Sequence, residues 1–122
     1  MHKIIFYKDL RGKSPVLDYI NELESKGDKD SRINLIKIRD YVKALEKNGT
    51  LLPDTYCKHL DSDIWELRPI SNRILFAAFI DGVFVLLHVF KKKTQKTPRR
   101  EIEQAKREFT DFKERWTSYD KN

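Results

Sequence analysis

The spacing of hydrophobic residues changes along the chain, from a helical period in the first half to a strand period in the middle. A short apolar run at Ile4–Tyr7 predicts a first strand. The pair Ser14 and Pro15 predicts the start of a helix that stops at Gly27. Apolar residues three and four apart predict a second helix over Asp30–Asn48. The pattern therefore predicts one strand followed by two helices in the first half of the chain.

Alternating apolar residues then predict three consecutive strands, at Ile64–Arg68, Asn72–Ile80 and Val83–Lys91. Asp81-Gly82 is typical of a tight hairpin turn. Thr97-Pro98 opens a last helix with one apolar seam, formed by Ile102, Ala105, Phe109, Phe112 and Trp116. The order β-α-α-β-β-β-α predicts a single α+β domain over residues 1–122, with a mostly antiparallel sheet of about four strands packed against helices.

The two predicted hairpins indicate which strand residues face one another. Pairing Ile80 with Val83, together with a symmetric turn before Asn72, places Arg73 opposite both Arg68 and Phe90. Alternation then predicts a mixed face carrying Glu66, Arg68, Arg73, Leu75, Phe79, Phe84, Leu86 and His88. The other face is apolar and is expected to form the main core under the first two helices: Trp65, Leu67, Ile74, Phe76, Ala78, Ile80, Val83, Val85, Leu87 and Val89.

Composition limits the class of protein. The 122 residues are 39% hydrophobic and 36% charged, enough for one small core under a charged surface. The single cysteine, Cys57, excludes an internal disulfide and is expected to be a packing residue. No leader is visible at the start, and the longest apolar runs are far shorter than a membrane span. We therefore expect a soluble, cytoplasmic protein.

The net charge of +6 lies in one segment. Lys91–Arg100 holds six cations and no acid, so the rest of the chain is neutral, with 19 cations and 19 acids. Arg99 and Arg100 also stand at a helix N-terminus, where the helix dipole disfavours cations unless an anion binds there. A solvated loop is the simpler interpretation. We favour a polyanion site, because this loop leaves the same end of the sheet as the paired arginines.

The predicted pairing of Arg68 with Arg73 has two interpretations. Two guanidinium groups directly opposite repel one another unless a negative group lies between them. A carboxylate such as Glu66 on the same face would make the pair structural. A bound phosphate would make it a functional anion site. The pattern alone leaves both interpretations open.

The chemistry available to these residues is narrow. The sequence carries no metal-ligand spacing, phosphate-binding glycine loop or nucleophile motif, so no cofactor or metal is expected. Cleavage of RNA by its own 2′-OH suits a cluster of arginine and lysine, because the substrate supplies the nucleophile. Arg68 and Arg73 are the candidates for holding the phosphate, with charge from Lys92 or Lys93. Glu66 and His88 are candidate proton carriers, although a structural role is the favoured interpretation of the histidine.

Two sequence segments resemble the HigB-type toxins of the RelE superfamily, in its phage-derived branch. One is the strand Trp65–Arg68, read with Arg73 entering the next strand. The other is Leu87–Pro98, which contains the signature Lys-Lys-Thr-x-Lys-Thr-Pro at Lys92–Pro98. The likeness runs from the first strand to about Glu108, and it leaves out Phe109–Asn122.

This resemblance implies a RelE-like fold and the toxin of a bacterial type II toxin–antitoxin pair. Such toxins cleave mRNA, typically on the translating ribosome, without a metal. A HigA-type helix-turn-helix antitoxin silences them, and they meet operator DNA only through that complex. The residues that match the family's basic positions are Lys58, Arg68, Arg73, Lys92, Lys93 and Lys96. We expect Arg68, Arg73, Lys92 and Lys93 to be catalytic. We expect RNA to be bound by Lys58 and Lys96, together with Lys91 and Arg99 of the basic segment.

Other functions and contacts stay open at the level of sequence. A non-catalytic nucleic-acid-binding module, or a subunit that grips an acidic partner, would carry the same basic edge. The seam of the last helix is expected to pack on the domain's own sheet, which we favour over contact with an antitoxin helix.

Overall fold

A five-stranded sheet with helices on both faces forms the part of the chain that the computed structural model describes, residues 1–116. Its elements are β1 (Lys3–Phe6), α1 (Pro15–Lys26), α2 (Lys29–Asn48), β2 (Cys57–Asp61), β3 (Ile64–Leu67), β4 (Asn72–Ala78), β5 (Val83–Lys91) and α3 (Arg99–Glu114). The strand order is β1-β5-β4-β3-β2; β1 runs parallel to β5, and the other neighbours are antiparallel. No helix within residues 1–116 combines the length and apolarity that a bilayer crossing requires.

The predicted α+β architecture is confirmed, with one more strand than expected. The additional strand, β2, pairs with β3 across a turn in which Ser62 has a φ of 52°. Its five residues are mostly exposed or half-buried, so they lack the apolar alternation on which the other strand predictions rested. The helix start at Ser14-Pro15 is confirmed, and α1 ends at Gly27 in the left-handed conformation.

The far end of the sheet has the register that the sequence predicted. Arg73 pairs with Phe90, and Leu75 lies between Glu66 and His88. Arg68 follows the last β3 residue, whose pairing with Ile74 continues the predicted alignment toward Arg73. The candidate arginines therefore meet at this end of the sheet.

The other end of the β4–β5 hairpin differs from the prediction. Phe79 donates its backbone N–H to the Val83 carbonyl, so Val83 faces Phe79 rather than Ile80. Gly82 takes a φ of 73° and adds a residue to the turn, and a bulge between Leu75 and Phe76 restores the register. Between these two irregularities, each β5 side chain lies on the face of the sheet opposite to the predicted one. The predicted faces are therefore wrong for five β5 residues: Val83, Phe84, Val85, Leu86 and Leu87.

Two hydrophobic clusters fill the space on either side of the sheet. Under α1 and α2 lie Leu67, Ile74, Phe76, Phe84 and Leu86, together with helix residues such as Ile38 and Leu45. Under α3 lie Leu75, Ala77, Val83, Val85 and Leu87, together with Ala105, Phe109 and Phe112. The last helix thus packs its seam on the domain's own sheet, as expected. Cys57 is buried in the first cluster, and burial raises the pKa of its thiol to about 11.

One carboxyl group of α3, that of Glu108, is buried at an energetic cost. Glu108 is 7% exposed, and within residues 1–116 its Oε1 has no hydrogen-bond partner. Burial raises the pKa of this side chain to about 7, because the charged form loses its hydration. In the folded state the Glu108 carboxyl therefore stays protonated up to about pH 7.

We predict that this carboxyl makes stability fall with rising pH. The folded chain keeps a proton on Glu108 that the unfolded chain loses above about pH 4.5, so the free energy of unfolding falls between about pH 5 and 8. Glu108→Gln should remove that slope and raise the free energy of unfolding at pH 8 by about 2–3 kcal/mol. Urea unfolding across this pH range measures it. Glu114→Gln, at an exposed position on the same helix, should keep the wild-type slope, and an unchanged slope in Glu108→Gln would contradict the prediction.

Candidate functional site

A cleft of about 750 Å³ opens between the β2–β3 hairpin and the loop that leads into α3. The hairpin contributes one wall, and the basic loop with the first turn of α3 contributes the other. Its lining residues are Lys58, His59, Leu60, Asp61, Glu66, Arg68, Gln95, Lys96, Thr97, Pro98, Arg99 and Ile102. Four of the predicted site residues are among them: Lys58, Arg68, Lys96 and Arg99.

Glu66 lies at the base of the cleft between the two candidate arginines. It is 2% exposed, and its Oε1 is 3.6 Å from Arg68 Nε and 3.9 Å from Arg73 Nε. Thr97, at the end of the basic loop, donates its hydroxyl to Glu66 Oε2. One carboxylate thus faces two guanidinium groups, which stabilises the pair and leaves one positive charge in excess. The carboxylate that the structural interpretation required is therefore present, and the anion site stays a prediction.

Arg73 is the inner of the two arginines. It is 6% exposed, and its Nη1 donates to the carbonyls of Ile70 (3.0 Å) and Asn72 (2.9 Å). Burial lowers the pKa of Arg73, and Glu66 offsets part of that effect. Ile70 takes a φ of 59°, an uncommon conformation for a β-branched residue, so this arginine supports a strained turn. The Arg73 side chain is therefore buried and does not line the cleft.

Arg68 is the accessible member of the pair. Its side chain is 25% exposed and lines the cleft, and its Nη1 donates to the Asp54 carbonyl at 3.2 Å. Its backbone N–H donates to the Tyr56 carbonyl at 2.9 Å, which ties the segment before β2 to the end of β3. A guanidinium held on one side and open on the other can bind an anion in the cleft.

Acidic residues compensate the cations at the start of α3. Arg99 Nη1 is 2.7 Å from Asp61 Oδ2, and its Nη2 is 3.3 Å from Glu103. Lys106 Nζ donates to the same Asp61 oxygen at 2.8 Å. Lys106 and Arg99 together hold the pKa of Asp61 below its ordinary value. Arg99 thus bridges β2 and α3, and the unfavourable helix-dipole position that the sequence indicated is offset by these carboxylates.

The remaining predicted lysines, Lys91, Lys92 and Lys93, lie outside the cleft lining. Lys91 is opposite Asn72 at the end of β5, and the backbone N–H of Lys92 donates to the Ser71 carbonyl at 2.7 Å. All three side chains are exposed. The basic segment is therefore divided: Lys96 and Arg99 border the cleft, and Lys91 and Lys92 border the turn at 69–72.

The two histidines of this region have different surroundings. His88 Nε2 is 2.7 Å from Glu101 Oε1, and both side chains are largely buried, which agrees with the structural role that we favoured. His59 lines the cleft, with its Nε2 2.7 Å from the Ser62 carbonyl and its ring against Trp65. The sequence reasoning missed His59 because it missed β2. The turn-forming run Asp61–Asp63, directly before β3, was the available signal for a hairpin there.

The chain is similar to known proteins at the level of family and fold. A family model described as Phage derived protein Gp49-like (DUF891) matches residues 18–110. A solved YoeB-YefM complex from Staphylococcus aureus is 16% identical, with 77% of this chain and 99% of that chain covered and a TM-score of 0.52. A heterotetrameric YoeB-YefM toxin-antitoxin complex from the same organism is 17% identical, with 77% and 98% covered and a TM-score of 0.50. No curated protein matches the chain.

We predict that the charge of Glu66 stabilises the fold. Glu66→Gln should lower the free energy of unfolding by about 2–3 kcal/mol, because it leaves two guanidinium groups facing each other without a counter-charge. Urea unfolding measures this. Millimolar phosphate should reduce the difference in free energy of unfolding between Glu66→Gln and wild type, because the anion replaces the lost negative charge.

The matched control is Glu24→Gln. Glu24 pairs with Arg39 on the exposed surface, so its substitution should cost less than about 0.5 kcal/mol and should not respond to phosphate. Wild-type stability in Glu66→Gln would contradict the assigned role of Glu66.

Proposed function

The chain belongs to the phage-derived Gp49-like family, and from this premise we propose that it is the toxin of a bacterial type II toxin–antitoxin pair, of the HigB type within the RelE superfamily. We propose that it is an endoribonuclease that cleaves mRNA without a metal ion. The similar folds belong to proteins described as partners in toxin–antitoxin complexes, which supports the toxin role. The observation that carries the proposal is the cleft in which Arg68, Lys58 and Lys96 surround the buried Glu66.

The proposed reaction uses the substrate's own nucleophile. The ribose 2′-oxygen bonds to the adjacent phosphorus as the bond from phosphorus to the 5′-oxygen breaks, which leaves a 2′,3′-cyclic phosphate and a 5′-hydroxyl. One proton leaves the 2′-OH and one reaches the 5′-oxygen. The protein has to hold the phosphate, stabilise the added negative charge and accept or supply these protons.

The residues of the cleft suit these tasks unequally. Arg68 is accessible and has its fork partly free, so it is the proposed phosphate ligand. Lys58 and Lys96, both exposed at the rim, add positive charge on either side. Arg73 contributes through its charge and its support of the turn. Glu66 and His59 are the proton carriers that lie within the cleft.

The proposed partners follow from the same role. The toxin acts in the bacterial cytoplasm on mRNA, at the translating ribosome, and a HigA-type helix-turn-helix antitoxin silences it. Operator DNA is contacted only through the antitoxin complex, and no membrane takes part. Lys91, Lys92 and Lys93, all exposed beside the cleft, are available to the phosphates of a longer RNA strand.

One observation favours a second candidate, a non-catalytic module that binds nucleic acid with the same basic edge. The two proton carriers considered from the sequence both have ionic partners: Glu66 has Arg68 and Arg73, and His88 has Glu101. A module of this kind would retard RNA without cutting it. Cleavage is therefore the property that separates the two candidates.

We predict that expression of the chain alone arrests growth of a bacterial host. New mRNA 5′ ends should appear within translated reading frames, and cleavage of translated mRNA should continue with chelator present. Arg68→Ala should slow cleavage at least about 100-fold, because it removes the accessible phosphate ligand. The matched control is Arg39→Ala, which removes an exposed arginine on α2 and should leave toxicity intact.

Two results would overturn the assignment. Persistent growth arrest in the triple variant Arg68→Ala, Arg73→Ala, Lys93→Ala would show that the site lies elsewhere. RNA retardation by the wild type without any cleavage would favour the binding module. Antitoxin binding by each variant should persist, which separates loss of the site from loss of the fold.

A further inference from the structure

Two tyrosine rings stack on each other beside the cleft. Tyr41, on α2, and Tyr56, in the segment before β2, have ring centroids 4.5 Å apart and planes inclined by 20°. Tyr56 is 39% exposed and Tyr41 is half-buried. The pair lies outside both hydrophobic clusters that residues 1–116 form, so packing of the core does not account for it.

The pair adjoins the arginines of the candidate site. The Tyr56 carbonyl accepts the backbone N–H of Arg68, so the ring is attached one hydrogen bond away from the proposed phosphate ligand. Burial raises the pKa of the Tyr41 hydroxyl, and the positive charge of Arg73 offsets part of that rise. Tyr41 therefore lies within the electrostatic field of Arg73, and Tyr56 is joined to Arg68 through the backbone.

The surroundings of the pair are suited to a polyanion rather than to an apolar partner. Arg68 lines the cleft on one side, and its Nη1 donates to the Asp54 carbonyl, two residues before Tyr56. On the other side Arg73 holds the turn at 69–72, whose Ser71 carbonyl accepts the Lys92 backbone N–H. Aromatic faces next to a row of cations are the combination that binds unpaired nucleotides, through base stacking and phosphate contacts.

We propose that the Tyr41–Tyr56 pair is a stacking platform for one unpaired base of single-stranded RNA, adjacent to the phosphate held by Arg68. The outer face of Tyr56 receives the base, and Tyr41 supports the ring from behind. Stacking needs only a π-face, so the platform fixes the position of the strand with little preference among bases. This inference rests on the proposed function and adds to it a second contact, outside the cleft, that sets where the strand lies.

The test measures binding of an RNA that the protein cannot cut. The probe is a short, fluorescently labelled single-stranded RNA with 2′-O-methyl groups, used as a parent and as a series in which each member lacks one base. Anisotropy titrations should show that Tyr56→Ala weakens binding of the parent about 5- to 100-fold, as expected for loss of one stacked base. Tyr56→Phe, which keeps the ring, should stay within about twofold of wild type.

The abasic series separates stacking from a general loss of structure. For one member of the series, wild type and Tyr56→Ala should bind equally, because the base that stacks is already absent. The matched control is Leu51→Ala, which removes a side chain 92% exposed in the same connecting segment and should bind like wild type. Thermal unfolding of each variant verifies that the fold is retained.

Three outcomes would overturn the platform: wild-type affinity in Tyr56→Ala, equal weakening in Tyr56→Phe, or the same loss for every abasic probe. Loss of antitoxin binding in Tyr56→Ala with RNA affinity unchanged would assign the surface to the antitoxin instead.

The probe reports binding without cleavage, so a failure of the platform can be told apart from a failure of the proposed function. If Tyr56→Ala weakens binding of the probe but the wild type cuts no mRNA, only the proposed function is overturned. If the wild type cuts mRNA but Tyr56→Ala leaves the affinity for the probe unchanged, only the platform is overturned.

Discussion

Glu66 is the group on which the arrangement of this end of the sheet depends. Its carboxylate, carried by β3, faces Arg68 at the end of the same strand, Arg73 on β4 and the Thr97 hydroxyl from the basic loop. Three separate segments thus converge on one buried negative charge. Because a buried charge is tolerated only with partners, the cleft, the turn at 69–72 and the entry to α3 hold their positions together.

The sequence predicted the position of this site better than its surroundings. Arg73 and Phe90 pair as expected even though the hairpin turn was assigned one residue too short, because the bulge beyond Leu75 restores the register. Hydrophobic alternation does not reveal an extra residue in the turn at Gly82 whose effect on the register is cancelled by a bulge farther along the strands. The β5 segment between the two irregularities was therefore assigned to the wrong faces, although every residue there is apolar and buried.

The missed strand β2 had a different cause. It lies at the edge of the sheet and carries Lys58, His59 and Asp61, so it lacks the apolar alternation by which strands are recognised. Its omission hid His59, Leu60 and Asp61, three of the twelve residues that line the cleft. The candidate cations were found because charge is visible in sequence without structure. Their division between the cleft and the turn depends on backbone geometry, which composition does not contain.

The parallel pairing of β1 with β5 has a consequence for synthesis of the chain. Lys3 is aligned with Val83, 80 residues later, and the intervening segment contains α1, α2 and the strands β2, β3 and β4. The two helices form local contacts early, whereas the sheet closes only after β5 has left the ribosomal exit tunnel. The convergence on Glu66 needs Thr97, which comes later still. The contacts of Glu66 therefore become complete only after residue 97 has left the exit tunnel.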